Sequence, residues 1–167
     1  VDHSFGAAFA KSQAGTGTMV LPTSGTVFVS VANRDKRSVI FPVKRLVDLG
    51  FEIVATEGTA DLLHRAGIEA DVVPKVSTGD RRLLDLLSDG RIALVLNTPY
   101  GSTSGRSDGY EIRQAAVGNG VPVITTMAGI LAAIQGVEAL RGGPLGVAPL
   151  QDYHAGLVPV PERHEEG

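Results

Sequence analysis

The chain has 167 residues, a length that suits one domain, and its 43% hydrophobic and 20% charged residues are an ordinary globular balance. A formal net charge of −3 and an aromatic content of 5% without tryptophan argue against a nucleic-acid-binding surface, and no apolar run approaches the length of a membrane span. The absence of cysteine excludes disulfides and thiolate chemistry, and it permits a reducing cytoplasmic location.

A lead-in segment covers residues 1–24. Residues 4–13 carry apolar side chains on one side and predict a short helix, whereas the glycine- and threonine-rich residues 14–18 predict a flexible turn. The chain starts with Val-Asp-His and not with methionine, so we expect a segment of a longer protein in which residues 1–24 form a linker. One domain is predicted over residues 25–155 and a flexible tail over residues 156–167.

Apolar strand patterns alternate with helix patterns from residue 26 onward. Strands are predicted at residues 26–31, 51–55, 71–74, 92–96 and 121–125, with a further edge strand at 146–148. Helices are predicted at residues 33–49, 58–66, 80–88, 108–118 and 129–140. Pro42 should bend the first of these helices or delay its start. The alternation indicates an α/β fold with a parallel sheet, whose ligands gather beyond the carboxyl ends of the strands.

The turn after the second strand, Thr56-Glu57-Gly58-Thr59, is the most informative segment. It enters a helix, so its backbone N–H groups and the positive end of the helix dipole favour an anion, and Gly58 permits close approach. Lys36 and Lys75 arrive from neighbouring strands and can neutralise a phosphate. The alternative is that both threonines only cap the helix and both lysines are solvated.

Other polar residues follow the third and fourth strands. The amide of Asn97, next to Thr98, can read a ribose or a base edge, or it can stabilise a turn. Asp80 is a candidate general base, although capping of the helix over residues 80–88 is the favoured interpretation. None of the four histidines has metal-ligand spacing to another, so no metal site is predicted.

Ten short segments together resemble the C-terminal allosteric domain of bacterial carbamoyl phosphate synthetase large subunits. The segments are residues 9–13, 25–31, 35–36, 49–52, 55–60, 66–68, 75–76, 97–98, 112–113 and 125–126. The resemblance covers residues 5–154 and is specific in combination. It implies a methylglyoxal-synthase-like fold, which is a Rossmann-like, three-layer, doubly wound sheet of five parallel strands.

The resemblance also implies a receptor for UMP and IMP, which share a pocket. The residues that match the phosphate site are Lys36, Thr56, Gly58, Thr59 and Lys75. Asn97 and Thr98 match positions that face the ribose and the base, and Thr125 matches a position near the activator ornithine. Pro99 stands where the family commonly has a hydroxyl residue, and a longer loop over residues 98–107 follows it, so the base preference stays open.

The parent enzyme implied by the resemblance is a cytoplasmic ligase that serves pyrimidine and arginine synthesis. It makes carbamoyl phosphate from bicarbonate, ATP and ammonia that a small glutaminase subunit releases from glutamine. It uses ATP and magnesium, with potassium as a further candidate, in synthetase domains that precede this one. This domain is therefore expected to need no cofactor, to perform no catalysis, and to bind neither nucleic acid nor membrane.

The sequence leaves three alternative functions open. A methylglyoxal synthase, which eliminates phosphate from dihydroxyacetone phosphate, shares the fold and has an aspartate at the position of Asp80. Its active-site histidines have no counterpart, because the turn after the first strand offers Asn33 and Arg34 instead. The cyclohydrolase half of a purine-synthesis enzyme is disfavoured by the lack of a lysine- and histidine-rich stretch after the third strand. The last alternative is an interaction module whose polar loops bind no ligand.

Overall fold

A computed structural model describes residues 4–15, 20–99 and 108–143. Outside these residues lie the predicted edge strand at 146–148, the tail over residues 156–167, and residues 100–107 of the loop that follows Pro99. The strands are β1 (Thr26–Ser30), β2 (Glu52–Thr56), β3 (Asp71–Val73), β4 (Ile92–Asn97) and β5 (Val123–Ile124). The helices are α1 (Phe5–Gly15), α2 (Lys36–Asp48), α3 (Glu57–Arg65), α4 (Arg82–Ser88), α5 (Asp108–Gly118) and α6 (Met127–Arg141).

The five strands form one sheet in the order β3-β2-β1-β4-β5, and every pairing is parallel. Both faces of the sheet are covered, which explains why the strands read as continuous apolar runs. One face packs against α1, α2, α3 and α6 around Leu46 and Leu63, and the other packs against α4 and α5 around Phe28 and Leu87. The predicted α/β fold with a parallel five-stranded sheet is confirmed.

The strand order reverses between β1 and β4, which is the switch point where parallel sheets bind ligands. The pairing register places Ser30, the last residue of β1, opposite Asn97, the last residue of β4. On the other side of β1, Val29 pairs with Ala55, so Thr56 also ends beside Ser30. The last residues of β1, β2 and β4 therefore lie side by side at the same edge of the sheet.

Several predicted boundaries are wrong by a few residues. Residues 33–35 form a separate 3-10 turn, and the helix continues from Lys36 through the buried Pro42 to Asp48. β5 is only two residues long because Pro122 has no N–H to give to the sheet. Ala14 and Gly15, which we assigned to a flexible turn, belong to α1.

Helix α1 packs closely on α6, and Gly6 is one of the points where the two helices approach. A methyl group at Gly6 would lie 2.3 Å from the carbonyl oxygen of Gln135, a contact that only backbone movement can relieve. None of the helices in residues 4–15, 20–99 and 108–143 combines the length and the hydrophobicity that spanning a membrane requires.

We predict that Gly6→Ala lowers the free energy of unfolding by about 1–2 kcal/mol, the lower part of the overpacking range, because α1 can move away from α6. Thermal denaturation and cleavage of the N-terminal segment by a protease measure this effect. Gly15→Ala, also in α1, is the matched control because a methyl group there would contact nothing within 4 Å. Equal stability of the two variants would contradict the close α1–α6 packing.

Candidate functional site

The turn between β2 and α3 brings three hydroxyl groups together. Thr56 occupies the N-cap position of α3, yet its side chain caps no N–H group of that helix. Its Oγ1 lies 3.3 Å from Ser30 Oγ and 3.5 Å from Thr59 Oγ1, both longer than a normal O–H···O bond. The alternative in which Thr56 serves as a side-chain cap is therefore not observed. The first N–H groups of α3 are left without a side-chain acceptor from Thr56, which suits an anion.

Lys36 reaches this turn from the neighbouring strand connection. It is the first residue of α2, and its side chain is partly buried. A methyl group on Gly58 would lie 3.3 Å from Lys36 Nζ, so the ammonium group lies close to Gly58 in the first turn of α3. The positive charge of Lys36 and the positive end of the α3 dipole would therefore attract an anion to the same place. We call Lys36, Thr56, Gly58 and Thr59 the strand-end site.

Lys75 follows β3, the neighbour of β2, and is the residue before a 3-10 turn over Val76–Thr78. Its side chain is exposed, and its carbonyl oxygen accepts a 2.6 Å hydrogen bond from Thr78 Oγ1. Within the described ranges neither Lys36 nor Lys75 forms a salt bridge. Of the two ammonium groups, only that of Lys36 lies within 4 Å of a methyl group built on Gly58.

Asn97 and Thr98 are almost fully buried, at 3% and 2% exposure, and both bond to the β1 connection. Asn97 Nδ2 donates to the carbonyl oxygen of Ser30 at 3.0 Å. The N–H of Ala32 donates to Thr98 Oγ1 at 2.9 Å. These bonds fix the loops after β1 and β4 to each other at the switch point and place Asn97 beside the strand-end site through Ser30.

Three residues with links to this region were not among the predicted site residues. Arg113 donates to Asn97 Oδ1 at 2.6 Å, and Arg34 donates to the carbonyl oxygen of Pro99 at 3.0 Å. Asp108 accepts from the N–H of Ser77 at 2.6 Å and from its hydroxyl group at 3.1 Å. These side chains attach the start of α5 and the β1 turn to the loops that leave β3 and β4.

The remaining candidates lie elsewhere or have local partners. The N-cap position of α4 is Arg81 and not the predicted Asp80, although Asp80 Oδ1 accepts from the N–H of Arg82, the first residue of α4, at 2.8 Å. His64 Nε2 lies 2.9 Å from the carbonyl oxygen of Ala70. Thr125 is exposed just before Thr126, whose hydroxyl caps α6 by accepting from the N–H of Gly129. In the described part of the chain no cluster of three metal-ligating side chains is found.

A cavity of about 290 Å³ opens at the opposite end of the sheet. It is lined by Thr26, Glu52 and Ile92, which begin β1, β2 and β4, and by Asp71 at the start of β3. Because parallel sheets bind ligands beyond the carboxyl ends of their strands, the strand-end site is the stronger candidate. The cavity has charges of both signs on its wall, from Glu52 and Asp71 and from Arg82 and Arg91.

Comparison with known proteins identifies a family and a set of longer relatives. The sequence profile of the MGS-like domain matches residues 38–125. The carbamoyl phosphate synthase large chain of Mycobacterium sp. (strain JLS) is 54% identical over 164 residues, which are 94% of this chain and 15% of the relative. The same protein of Streptomyces coelicolor is 52% identical over 163 residues, 95% of this chain and 15% of the relative. This chain thus spans about 15% of the length of these relatives.

A solved structure with the same fold is the methylglyoxal synthase of Elizabethkingia anophelis. It superposes with a TM-score of 0.56 and covers 85% of this chain and 96% of its own. The two sequences are only 18% identical, so the likeness shows the shared fold and no activity.

Proposed function

Because the chain belongs to the MGS-like domain family, we propose that it is the regulatory domain of a carbamoyl phosphate synthase large chain and binds a nucleoside monophosphate, UMP or IMP. The observation that carries this proposal is the position of the Lys36 ammonium group, which would lie 3.3 Å from a methyl group on Gly58. A cation held against the N-terminus of a helix, beside three hydroxyl groups, has the chemistry of a phosphate site.

The phosphate contacts divide by type. Lys36 and Lys75 would supply charge, the hydroxyl groups of Thr56 and Thr59 would donate hydrogen bonds, and Gly58 would allow the phosphate to reach the first N–H groups of α3. Thr59 is 2% exposed and Thr56 is 7% exposed, so both hydroxyl groups lie at the floor of the site. The ribose and the base would then extend toward Asn97 and Thr98, across Ser30.

The proposal for the whole protein follows from the longer relatives. The domain would carry no catalysis of its own and would regulate synthetase domains that bind ATP and magnesium, with a small glutaminase subunit as a partner in the cytoplasm. Thr125 is exposed beside the N-terminus of α6, a position suited to an activator such as ornithine at the border with a preceding domain. Regulation is then a coupling free energy between these sites and the distant active site.

Calorimetric titration of this 167-residue chain with UMP, IMP and ornithine tests the binding proposal. We expect one site for a nucleotide, and we expect saturation to stabilise the fold by about 2.7 kcal/mol at a nucleotide concentration 100 times the Kd. The proposal would be contradicted if UMP and IMP produced no heat of binding and no thermal shift. Release of methylglyoxal from dihydroxyacetone phosphate would point instead to the lyase.

Gly58→Ala is predicted to separate binding from stability. The new methyl group would lie 3.3 Å from Lys36 Nζ and would stand between a phosphate and the first turn of α3. We expect the UMP affinity to fall by at least about threefold, while Tm is unchanged or higher because alanine favours a helix over glycine by up to about 1 kcal/mol.

The matched control is Gly118→Ala at the end of α5, where a methyl group contacts nothing within 4 Å. This control should bind UMP as the wild-type chain does. Wild-type affinity in Gly58→Ala as well would remove Gly58 from the phosphate site.

A further inference from the structure

Arg113 makes a contact that the proposed phosphate site leaves unexplained. It lies on α5, is partly buried, and donates from one terminal nitrogen to Asn97 Oδ1 at 2.6 Å. Gly109, one turn earlier on α5, leaves room for this pair. A methyl group there would lie 2.9 Å from that Arg113 nitrogen and 3.0 Å from Asn97 Oδ1. The sequence therefore provides both the donor and the space that the donor needs.

The partners of Asn97 fix which way its amide points. A guanidinium group can only donate, so it must face the amide oxygen, and a backbone carbonyl can only accept, so Ser30 must face the amide nitrogen. Turning the amide over would place two donors together at Arg113 and two acceptors together at Ser30. Because Asn97 is only 3% exposed, water cannot readily replace the hydrogen bonds that such an orientation would lose.

We propose that Arg113 is a positioning residue that sets the hydrogen-bonding polarity of Asn97 and thereby the recognition of the ribose or base of the nucleotide. After bonding to Ser30 and Arg113, the amide keeps one N–H and one lone pair for a ligand. With its orientation fixed, these two groups stand in fixed places and select a hydroxyl group or a base edge. This inference rests on the proposed nucleotide site and concerns its specificity.

The first experiment compares UMP with inorganic phosphate for Arg113→Met. We expect the Kd for UMP to rise about tenfold, the loss of roughly one hydrogen bond to the ligand. The affinity for inorganic phosphate should stay unchanged, because phosphate does not reach Asn97. Arg91→Met, an exposed arginine outside the site, is the matched control and should change neither value. Equal losses for UMP and phosphate would overturn the proposal, since they would indicate a general electrostatic or structural effect.

A double-variant comparison tests whether Arg113 acts through Asn97. If it does, the variant with both Arg113→Met and Asn97→Ala should bind UMP no more weakly than Asn97→Ala alone. Independent, additive losses would overturn the positioning role.

A second measurement needs no nucleotide and covers the case in which Asn97→Ala does not fold. In the ligand-free protein, the NMR signals of the Asn97 side-chain amide should shift, and its hydrogens should exchange faster, in Arg113→Met than in wild type. Unchanged signals would overturn the proposal. If the signals differ between Arg113→Met and wild type while the wild-type chain does not bind UMP, the contact of Arg113 with Asn97 is supported and the nucleotide assignment is rejected. The two failures are therefore distinguishable.

Discussion

Lys36→Met is expected to weaken UMP binding by about 10- to 150-fold, because it removes a hydrogen bond to a charged group worth about 1.5–3 kcal/mol. The Lys36 ammonium group lies against Gly58 at the N-terminus of α3, so its removal takes away the charge nearest the proposed phosphate. Methionine keeps the length of the side chain and removes only the charge and the donors. Calorimetric titration with UMP measures the change.

Arg37→Met is the matched control for this prediction. Arg37 is the next residue of α2, is exposed, and loses the same charge on substitution. If general electrostatic attraction explained UMP binding, both variants would weaken it alike and the loss would shrink at higher salt. We expect a large loss in Lys36→Met and a small one in Arg37→Met, and equal losses would contradict a specific phosphate site.

Phe28→Ala is expected to lower the free energy of unfolding by about 3–5 kcal/mol, the usual cost of removing a buried aromatic side chain. Phe28 is in β1, the central strand, and is completely buried against the α4–α5 layer. For a chain of this length the loss corresponds to a fall in Tm of about 6–20 °C. Differential scanning calorimetry measures it.

The control for the core prediction is a second phenylalanine on the surface. Phe41, on α2, is 67% exposed, so Phe41→Ala should change the unfolding free energy by at most about 0.5 kcal/mol. Similar losses in the two variants would contradict the placement of β1 at the centre of the sheet.

The sheet was predictable because each buried strand is a continuous apolar run between turn residues. Errors occurred where a local rule competes with the pattern. Proline removes an N–H and shortens β5 at Pro122, whereas in α2 the buried Pro42 is tolerated inside the helix. Ala14 and Gly15 were assigned wrongly because they are exposed residues at the very end of α1, where sequence patterns place a helix boundary only to within one or two residues.

The strand-end site was partly predictable from local sequence. The turn at residues 56–59 and the lysine after the first strand follow from the rule that ligands bind beyond parallel strands, and the structure brings Lys36 to Gly58. Whether Thr56 caps α3 depends on its side-chain rotamer, which the sequence does not determine.

The bonds around Asn97 were not predictable. Ser30 and Asn97 are 67 residues apart, and their contact depends on the pairing register of β1 and β4. The bond from Arg113 depends in addition on how α5 lies across the end of β4. The sequence offered two signals for Arg113, its place in a short segment that carries the family resemblance and a glycine one helical turn earlier at residue 109, and neither assigns it a partner.

Crystals of this chain grown with UMP would test the central claim most directly. We expect the phosphate of the nucleotide to lie within hydrogen-bonding distance of Lys36 Nζ and of the first N–H groups of α3. A nucleotide bound in the cavity near Glu52 and Asp71, with the turn at Gly58 empty, would contradict it.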